Sequence, residues 1–173
     1  MGFRGIERVT GVNHNTIINW VRLASLALPD APYADEIPEI TELSGVADFR
    51  GVKKNQLWLW TAVNHQLPGV LAWVLGDRSA ETFKKLWKIV RGWQSFWHVT
   101  DGYSVYSTFI DNISHIVSKT YMTRVEGENT RLRHYLARLH RKTLCYSKST
   151  EMLKASLRLL LHYLKYWNIP LPA

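Results

Sequence analysis

The order of hydrophobic patterns along the chain constrains its fold more than any other feature of the sequence. EITEL (39–43) begins the series, and QLWLWTAVNH (56–65) and VLAWVLGD (70–77) are β-rich runs joined by LPG, which predicts a hairpin. SAETFKKLWKIVRGW (79–93) then has apolar residues at helical spacing. The remaining predicted elements are strands at 95–102 and 115–121 and helices at about 125–139 and about 151–166.

Antiparallel strands therefore come first and strand–helix crossovers follow, an order that predicts an α/β fold with a mixed sheet and flanking helices. This order matches the ribonuclease-H-like fold, although a fold by itself does not fix a function. Ser79 is the predicted cap of the helix at 79–93. The strand that starts at EITEL is predicted to be broken, because SGVADFRGV (44–52) places Gly, Asp and Arg where it should continue.

The amino-terminal segment, residues 3–24, has the spacing of two short helices around a turn at Gly11, and Asn13 can cap the second helix. This spacing predicts a partial helix-turn-helix, and a structural helical hairpin is the alternative. The candidate DNA-binding residues at the front of the second helix are His14, Asn15 and Asn19. The predicted domains are the partial helix-turn-helix at 1–27, a Pro-rich acidic linker at 28–38 and a ribonuclease-H-like core at 39–173.

The positive charge of the chain is segregated. Residues 1–117 contain eleven Lys/Arg and eleven Asp/Glu, whereas residues 118–173 contain eleven Lys/Arg and three acids, which gives the net charge of +8. Such a basic region favours a polyanionic partner, most simply nucleic acid, and a solvated helical surface is the alternative.

The composition narrows the class of protein. A hydrophobic content of 46% and eight tryptophans indicate a folded chain, and 173 residues suffice for one domain with a substantial core. The single cysteine, Cys145, cannot form an internal disulfide or a multi-Cys metal site and suits a reducing compartment. With neither a leader-like segment nor a long apolar run, the chain is expected to be cytoplasmic and to have no membrane partner.

Asp101 is the first candidate for chemistry, because it ends the apolar run SFWHVTDG (95–102). A carboxylate at the carboxyl end of a central strand lies where open α/β sheets place their sites, and Gly102 allows a close approach. The alternative is an acid that caps the helix predicted in DGYSVY.

Glu126 is the second candidate. In the helix that starts near residue 125 it shares one predicted polar face with Asn129 and Arg133, while Leu132, Leu136 and Leu139 form another face, which is apolar. An acid beside an amide and an arginine suits metal and phosphate binding, and a merely solvated stripe is the alternative.

Three runs in this chain resemble the transposases of the bacterial insertion-sequence-one family, which are DDE transposases. The runs are KKNQLWLWTAVNH (53–65), VTDGY (99–103) and HIVSKTYMTRVEGENTRLRHYLARLHRKTLCYSKS (115–149). The resemblance implies a ribonuclease-H-like core in which three acids bind two divalent ions, Mg²⁺ or Mn²⁺, for phosphodiester cleavage and strand transfer at the ends of the element. By position it places the second acid on Asp101 and the third on Glu126, both as metal ligands, with a further site residue at Asn129.

The same resemblance implies double-stranded DNA partners, namely the transposon ends and the target, and an association with the nucleoid. It also implies a homo-oligomer on DNA and an end-binding role for residues 3–24. A zinc ribbon is expected further toward the amino terminus, so a chain with one cysteine resembles an amino-terminally truncated member. The basic residues expected to hold the DNA backbone are Arg124, Arg131, Arg133, Arg138, Arg141, Lys142 and Lys148.

The first acid of the family is missing here. An ungapped alignment on EITEL before and KKNQLWLW after places it on Ser44, and the following Glu on Gly45. Asp48 and Glu42 are poor substitutes for this acid. The spacing of residues along a strand displaces their carboxylates from position 44 by roughly 13 Å and 7 Å, respectively. The sequence thus predicts a transposase with weak or absent cleavage and retained DNA binding. The alternatives are an inactive DNA-binding remnant that represses transposition and a nuclease indifferent to end sequence.

The residues that follow Ser44 suggest how the acid was lost. When codons for a family-like stretch ELQTFVG are translated out of frame, they yield VADFRG, the sequence at 46–51. This relationship favours the hypothesis of two compensating insertions or deletions in the gene. The nucleotide sequence tests this hypothesis, since codons without an offset relationship to family genes would contradict it.

Overall fold

A computed structural model of the chain describes residues 2–29, 37–48, 57–136, 139 and 149–169. Its helices are α1 Phe3–Thr10, α2 His14–Leu26, α3 Ala80–Arg91, α4 Ser104–Ser107, α5 Thr123–Tyr135 and α6 Thr150–Tyr166. Its strands are β1 Ile40–Asp48, β2 Leu57–Asn64, β3 Val70–Gly76, β4 Trp97–Thr100 and β5 His115–Val117. The predicted order of strands and helices is confirmed, although β4 and β5 are shorter than the apolar runs that contain them.

The five strands form one sheet in the order β3-β2-β1-β4-β5. β1 pairs antiparallel with β2, and β2 with β3, whereas β4 is parallel to both β1 and β5. The structure therefore confirms a mixed α/β sheet, consistent with the ribonuclease-H-like fold. β1 lies at the centre, and the carboxyl ends of β1, β3 and β4 point to the same end of the sheet.

The predicted break in the first strand is wrong. β1 pairs with β2 without interruption from Thr41, opposite Asn64, to Asp48, opposite Leu57. The strand continues through Gly45, where the rings of Trp58 and Trp60 pack closely over the glycine. A Cβ added at Gly45 would lie only 3.3 Å from the Trp58 ring and 3.4 Å from the Trp60 ring. Two indole rings thus cover the missing side chain, an arrangement that compensates for glycine in a strand. Residues 49–52 lie outside the described residues.

Helices cover both faces of the sheet and bury two clusters. On one face α5 and α6 pack against the strands; the cluster includes Val46, Leu59, Val63, Val99, Val125, Leu132, Leu153 and Leu157. On the other face lies α3; its cluster includes Leu43, Trp60, Ala62, Phe83, Leu86 and Tyr106. Consecutive residues of β1 and β2 alternate between these clusters, as the period of a β-strand requires. The sheet is thereby buried on both faces.

The two amino-terminal helices form as the sequence predicts. Gly11 ends α1 with a left-handed φ of 75°, and the Asn13 side chain accepts a hydrogen bond from the Asn15 N–H at the start of α2. α2 packs against α6, so the pair is joined to the core. Among the described helices, none has both the length and the hydrophobicity that a bilayer span requires.

The start of α3 supports a prediction about stability. The Asp77 carboxylate accepts hydrogen bonds from the Ser79 hydroxyl and N–H and from the Thr82 hydroxyl, and Ser79 caps the helix as predicted. These bonds, from Ser79 first, lower the pKa of Asp77 from 3.8 to about 2. Because the carboxylate form is favoured in the folded state, its stabilisation is present above pH 4 and is lost as the pH falls through about 2.

We therefore expect Asp77→Ala to lower the free energy of unfolding by about 1 kcal/mol at neutral pH, as the loss of a helix cap does. The difference from wild type should shrink toward zero near pH 2. Urea unfolding at both pH values measures this. Glu81→Ala, in the exposed first turn of the same helix, is the control. Equal unfolding midpoints for the two variants at neutral pH would contradict the assignment.

Candidate active site

Asp101 follows the last residue of β4 and is exposed at the carboxyl end of that strand. Its Oδ1 accepts a hydrogen bond of 3.1 Å from the Tyr103 N–H. Gly102 turns the chain with a φ of 79°, and a Cβ there would lie 2.7 Å from Val117 Cγ1 on β5. Only glycine therefore fits this turn, which holds the Asp101 carboxylate at the edge of the sheet. The carboxylate braces the turn before α4 but does not cap α4, whose cap residue is Tyr103.

Ser44 lies on β1 beside this edge. In the parallel pairing of β1 with β4, Glu42 is the partner of Val99. Continuing that register by two residues brings Ser44 level with Asp101. Since side chains alternate along a strand, Ser44 shares a face of the sheet with Glu42, and this is the face that α5 covers. Ser44, where the alignment predicts the loss of the first acid, thus lies level with Asp101, the predicted second acid.

Helix α5 is fixed over this face by two long-range hydrogen bonds. The buried Val125 N–H donates to Glu42 Oε2 at 2.7 Å, and the Thr61 hydroxyl donates to Asn129 Oδ1 at 3.1 Å. Thr61 is the cross-strand partner of Ser44. The helix therefore runs from above Glu42 toward the level of Ser44.

Glu42 has a role that the sequence did not reveal. It is fully buried, and its Oε1 is hydrogen-bonded to His65 Nδ1. Because the cap residue Met122 offers no side-chain hydrogen bond, Glu42 satisfies the free N–H of Val125 in the first turn of α5. One carboxyl oxygen thus positions α5, and the other is engaged by His65. The side chain of Asp48 lies outside the described part of the structure.

Glu126 is exposed on α5. On the same helix Glu128 accepts a hydrogen bond of 3.0 Å from the Gly69 N–H in the β2–β3 hairpin. Helical residues are rotated by about 100° each, so Glu126 lies on the flank of α5 away from that hairpin. The hairpin is at the end of the sheet opposite Asp101. That Glu126 lies near Asp101 remains a prediction.

The predicted polar face of α5 is wrong in part. Asn129 is only 4% exposed and faces the sheet together with Val125 and Leu132, because its amide oxygen accepts from Thr61. Its partner was not visible in the sequence, since the two residues are 68 positions apart. Asn129 therefore fixes α5 on β2.

The predicted basic residues are divided among several places. Arg124 contacts the Gln66 carbonyl at 3.4 Å and Arg131 lies 3.8 Å from Glu128, so both belong to the hairpin flank of α5. Arg133 follows Glu126 by seven residues and shares its flank by helical spacing. Four others lie outside the described residues, namely Arg138, Arg141, Lys142 and Lys148.

The predicted residues of α2 lie at its first two turns. Asn15 and Asn19 are exposed, and His14 Nδ1 is 3.0 Å from Glu7 Oε2 on α1. This contact joins the two amino-terminal helices across their turn. These three residues remain predicted DNA contacts.

The predicted site residues offer fewer charged oxygens than two divalent ions require. Within the described residues, no three His, Cys, Asp or Glu side chains converge as a metal site. Asp101 and Glu126 supply carboxylates, whereas Ser44 offers a neutral hydroxyl and Asn129 Oδ1 already accepts from Thr61. Hard divalent cations prefer several charged oxygen ligands. The described residues therefore do not supply the full set of carboxylate ligands that a two-ion site needs.

Comparison with known proteins identifies the family. The family model described as IS1 transposase matches residues 39–167, and this family of DDE transposases uses divalent metal ions. The chain is 36% identical over 104 residues to the insertion element IS1 protein InsB of Shigella flexneri, covering 60% of this chain and 79% of that protein. It is 34% identical over 113 residues to the insertion element iso-IS1n protein InsB of Shigella dysenteriae, covering 65% and 86%. The resemblance drawn from the sequence runs is confirmed: the chain belongs to the IS1 transposase family.

Proposed function

We propose that this chain is an insertion-sequence transposase that binds the DNA ends of its element but cleaves and transfers strands weakly or not at all. The observation that carries the proposal is the register of β1 with β4, which brings Ser44 level with Asp101. A hydroxyl at that position cannot supply the negative charge that a carboxylate gives to a bound divalent cation. The family provides the substrate class, which is DNA.

DNA binding is supported by charge. The excess of Lys and Arg lies in residues 118–173, which include α5 and α6. We propose that these residues neutralise backbone phosphates, and that His14, Asn15 and Asn19 on α2 contact the ends of the element. Such binding releases counterions and weakens steeply with salt. On DNA the protein is expected to form a homo-oligomer and to associate with the nucleoid.

The second candidate function is a catalytically inactive protein that occupies the ends and represses transposition. Ser44 favours it as well, because a protein that binds but does not cleave competes with an intact transposase. Mixing the two proteins on one end-containing DNA distinguishes the roles. A repressor lowers the yield of cleavage by the intact enzyme in proportion to end occupancy.

The testing experiment measures binding and cleavage on the same DNA. A labelled duplex with the element's end is incubated with the chain and Mg²⁺ or Mn²⁺, alongside a scrambled duplex. We expect end-specific, salt-sensitive binding and little or no strand breakage. Robust breakage that Asp101→Asn or Glu126→Gln abolishes would show that Ser44 is compatible with catalysis. Breakage indifferent to end sequence would indicate a nuclease, and absence of binding would overturn the proposal.

A further inference from the structure

Arg78 lies in the loop between β3 and α3, at the end of the sheet that carries Asp101. Its guanidinium Cζ is 4.1 Å from the centroid of the Tyr103 ring and 4.5 Å from that of Trp58. Both distances are within the range of a cation–π contact, which extends to about 6 Å. Tyr103 belongs to the turn that holds Asp101, since its N–H donates to Asp101 Oδ1. Arg78 and the candidate active-site carboxylate therefore share one aromatic neighbour.

The backbone around Arg78 is fixed on both sides. The Tyr103 hydroxyl donates a 3.2 Å hydrogen bond to the Arg78 carbonyl, and Trp60 Nε1–H donates a 2.9 Å bond to the Asp77 carbonyl. The Asp77 carboxylate in turn holds Ser79. A flexible arginine loses conformational entropy when it binds a ligand, so a side chain that is already ordered binds at lower cost.

The guanidinium keeps its charge available to a ligand. Arg78 is exposed, and none of the ion pairs within the described residues includes it. The aromatic rings contact the flat face of the guanidinium, so the N–H groups at its edge can still donate hydrogen bonds to oxygen acceptors in its plane. The forked arrangement of these N–H groups matches the oxygens of a phosphate. An exposed cation thus lies against the ring of Tyr103, the residue whose N–H binds the Asp101 carboxylate.

We propose that Arg78 binds a backbone phosphate of the DNA strand that lies across the Asp101 edge, and that Trp58 and Tyr103 hold its guanidinium in place for that contact. This assignment rests on the proposed DNA-binding function. It adds a phosphate site on the α3 side of the sheet, whereas the basic residues predicted from the sequence lie in or after α5. The ligand is a phosphodiester, recognised by charge and shape and not by base sequence.

The experiment compares two arginines of α3 and its preceding loop. Arg78→Gln and Arg91→Gln each remove one exposed positive charge, but Arg91 ends α3 near the opposite end of the sheet. Fluorescence anisotropy with an end-containing duplex, between about 50 and 200 mM NaCl, gives the affinity and its salt slope. We expect Arg78→Gln to weaken binding about tenfold and to lower the slope by about 0.9, and Arg91→Gln to match wild type. Arg78→Lys should keep the slope and lose part of the affinity.

A second measurement separates a phosphate contact from a structural role. Single backbone phosphates of the duplex are replaced by neutral methylphosphonates. Replacing the phosphate that Arg78 contacts should weaken DNA binding by the wild-type protein as much as Arg78→Gln does. The same replacement should not weaken DNA binding by the Arg78→Gln variant any further. If wild type binds but Arg78→Gln keeps its affinity and slope, the Arg78 assignment alone is overturned. If Arg78→Gln does not fold, Arg78→Lys carries the test, and its equality with wild type at every phosphate overturns the assignment. A wild-type chain that binds no DNA overturns this assignment together with the proposed function.

Discussion

Ser44→Asp should convert this chain from a DNA binder into a DNA-cleaving protein. The substitution puts a third carboxylate on the face of the sheet that α5 covers, level with Asp101 by the register of β1 and β4. A correctly placed metal-ligating carboxylate contributes several kcal/mol to phosphoryl transfer, so strand breakage should rise on the order of 100-fold or more. Cleavage of a labelled end-containing duplex with Mg²⁺ or Mn²⁺ measures the gain.

The control for this substitution is Ser44→Asn, which has nearly the shape of aspartate but no charge. It should leave cleavage at the wild-type level, and Ser44→Asp combined with Asp101→Asn should return to that level. Binding of Mn²⁺, followed through the rise in melting temperature that it causes, provides a readout without DNA. A Ser44→Asp protein that folds, binds DNA and gains neither cleavage nor Mn²⁺-dependent stability would contradict the role of position 44.

Restoring the Glu that the alignment places at position 45 in the same variant is expected to disturb the packing of β1. A side chain at Gly45 would meet the rings of Trp58 and Trp60 at its first carbon. Since Trp58 also contacts Arg78, a larger residue there would disturb the aromatic contacts near the site. Ser44→Asp alone is therefore the sharper test.

Glu42→Ala should be the most destabilising of the substitutions considered. The Glu42 side chain is fully buried, and its loss would leave the Val125 N–H and the His65 ring without their partner and open a cavity beneath α5. A buried hydrogen-bonding group left without a partner and the lost packing together cost about 3 kcal/mol. Urea unfolding measures this loss, which corresponds to a fall in melting temperature of roughly 8 °C for a chain of this size.

Glu39→Ala is the matched control, because Glu39 precedes the same strand and is exposed. It should change the free energy of unfolding by less than about 0.5 kcal/mol. Glu42→Gln retains an acceptor for Val125 and should lie between the two. Unfolding of Glu42→Ala at the same urea concentration as Glu39→Ala would show that Glu42 does not hold α5.

Short-range sequence patterns were sufficient to predict the helices and strands of this fold. The order of strands and helices, the Ser79 cap and the turn at Gly11 were predicted correctly, because each depends on residues a few positions apart. The family was also evident from contiguous runs of residues, and so was the position of Asp101 at the end of a strand. In each case the pattern and its cause lie in one segment of the chain.

Tertiary structure decided what single side chains do at the site. The continuity of β1 through Gly45 depends on indole rings from β2, and the burial of Asn129 depends on Thr61. Glu42 acts on a helix that begins 81 residues later, through a hydrogen bond to a backbone N–H 83 positions away. A backbone donor has no signature in sequence, and a pairing across such a distance exists only once the sheet and the helix have packed together. The sequence by itself determined the elements, the family and the absence of an acid at position 44. Packing determined which remaining polar groups support α5 and which are exposed at the Asp101 edge of the sheet.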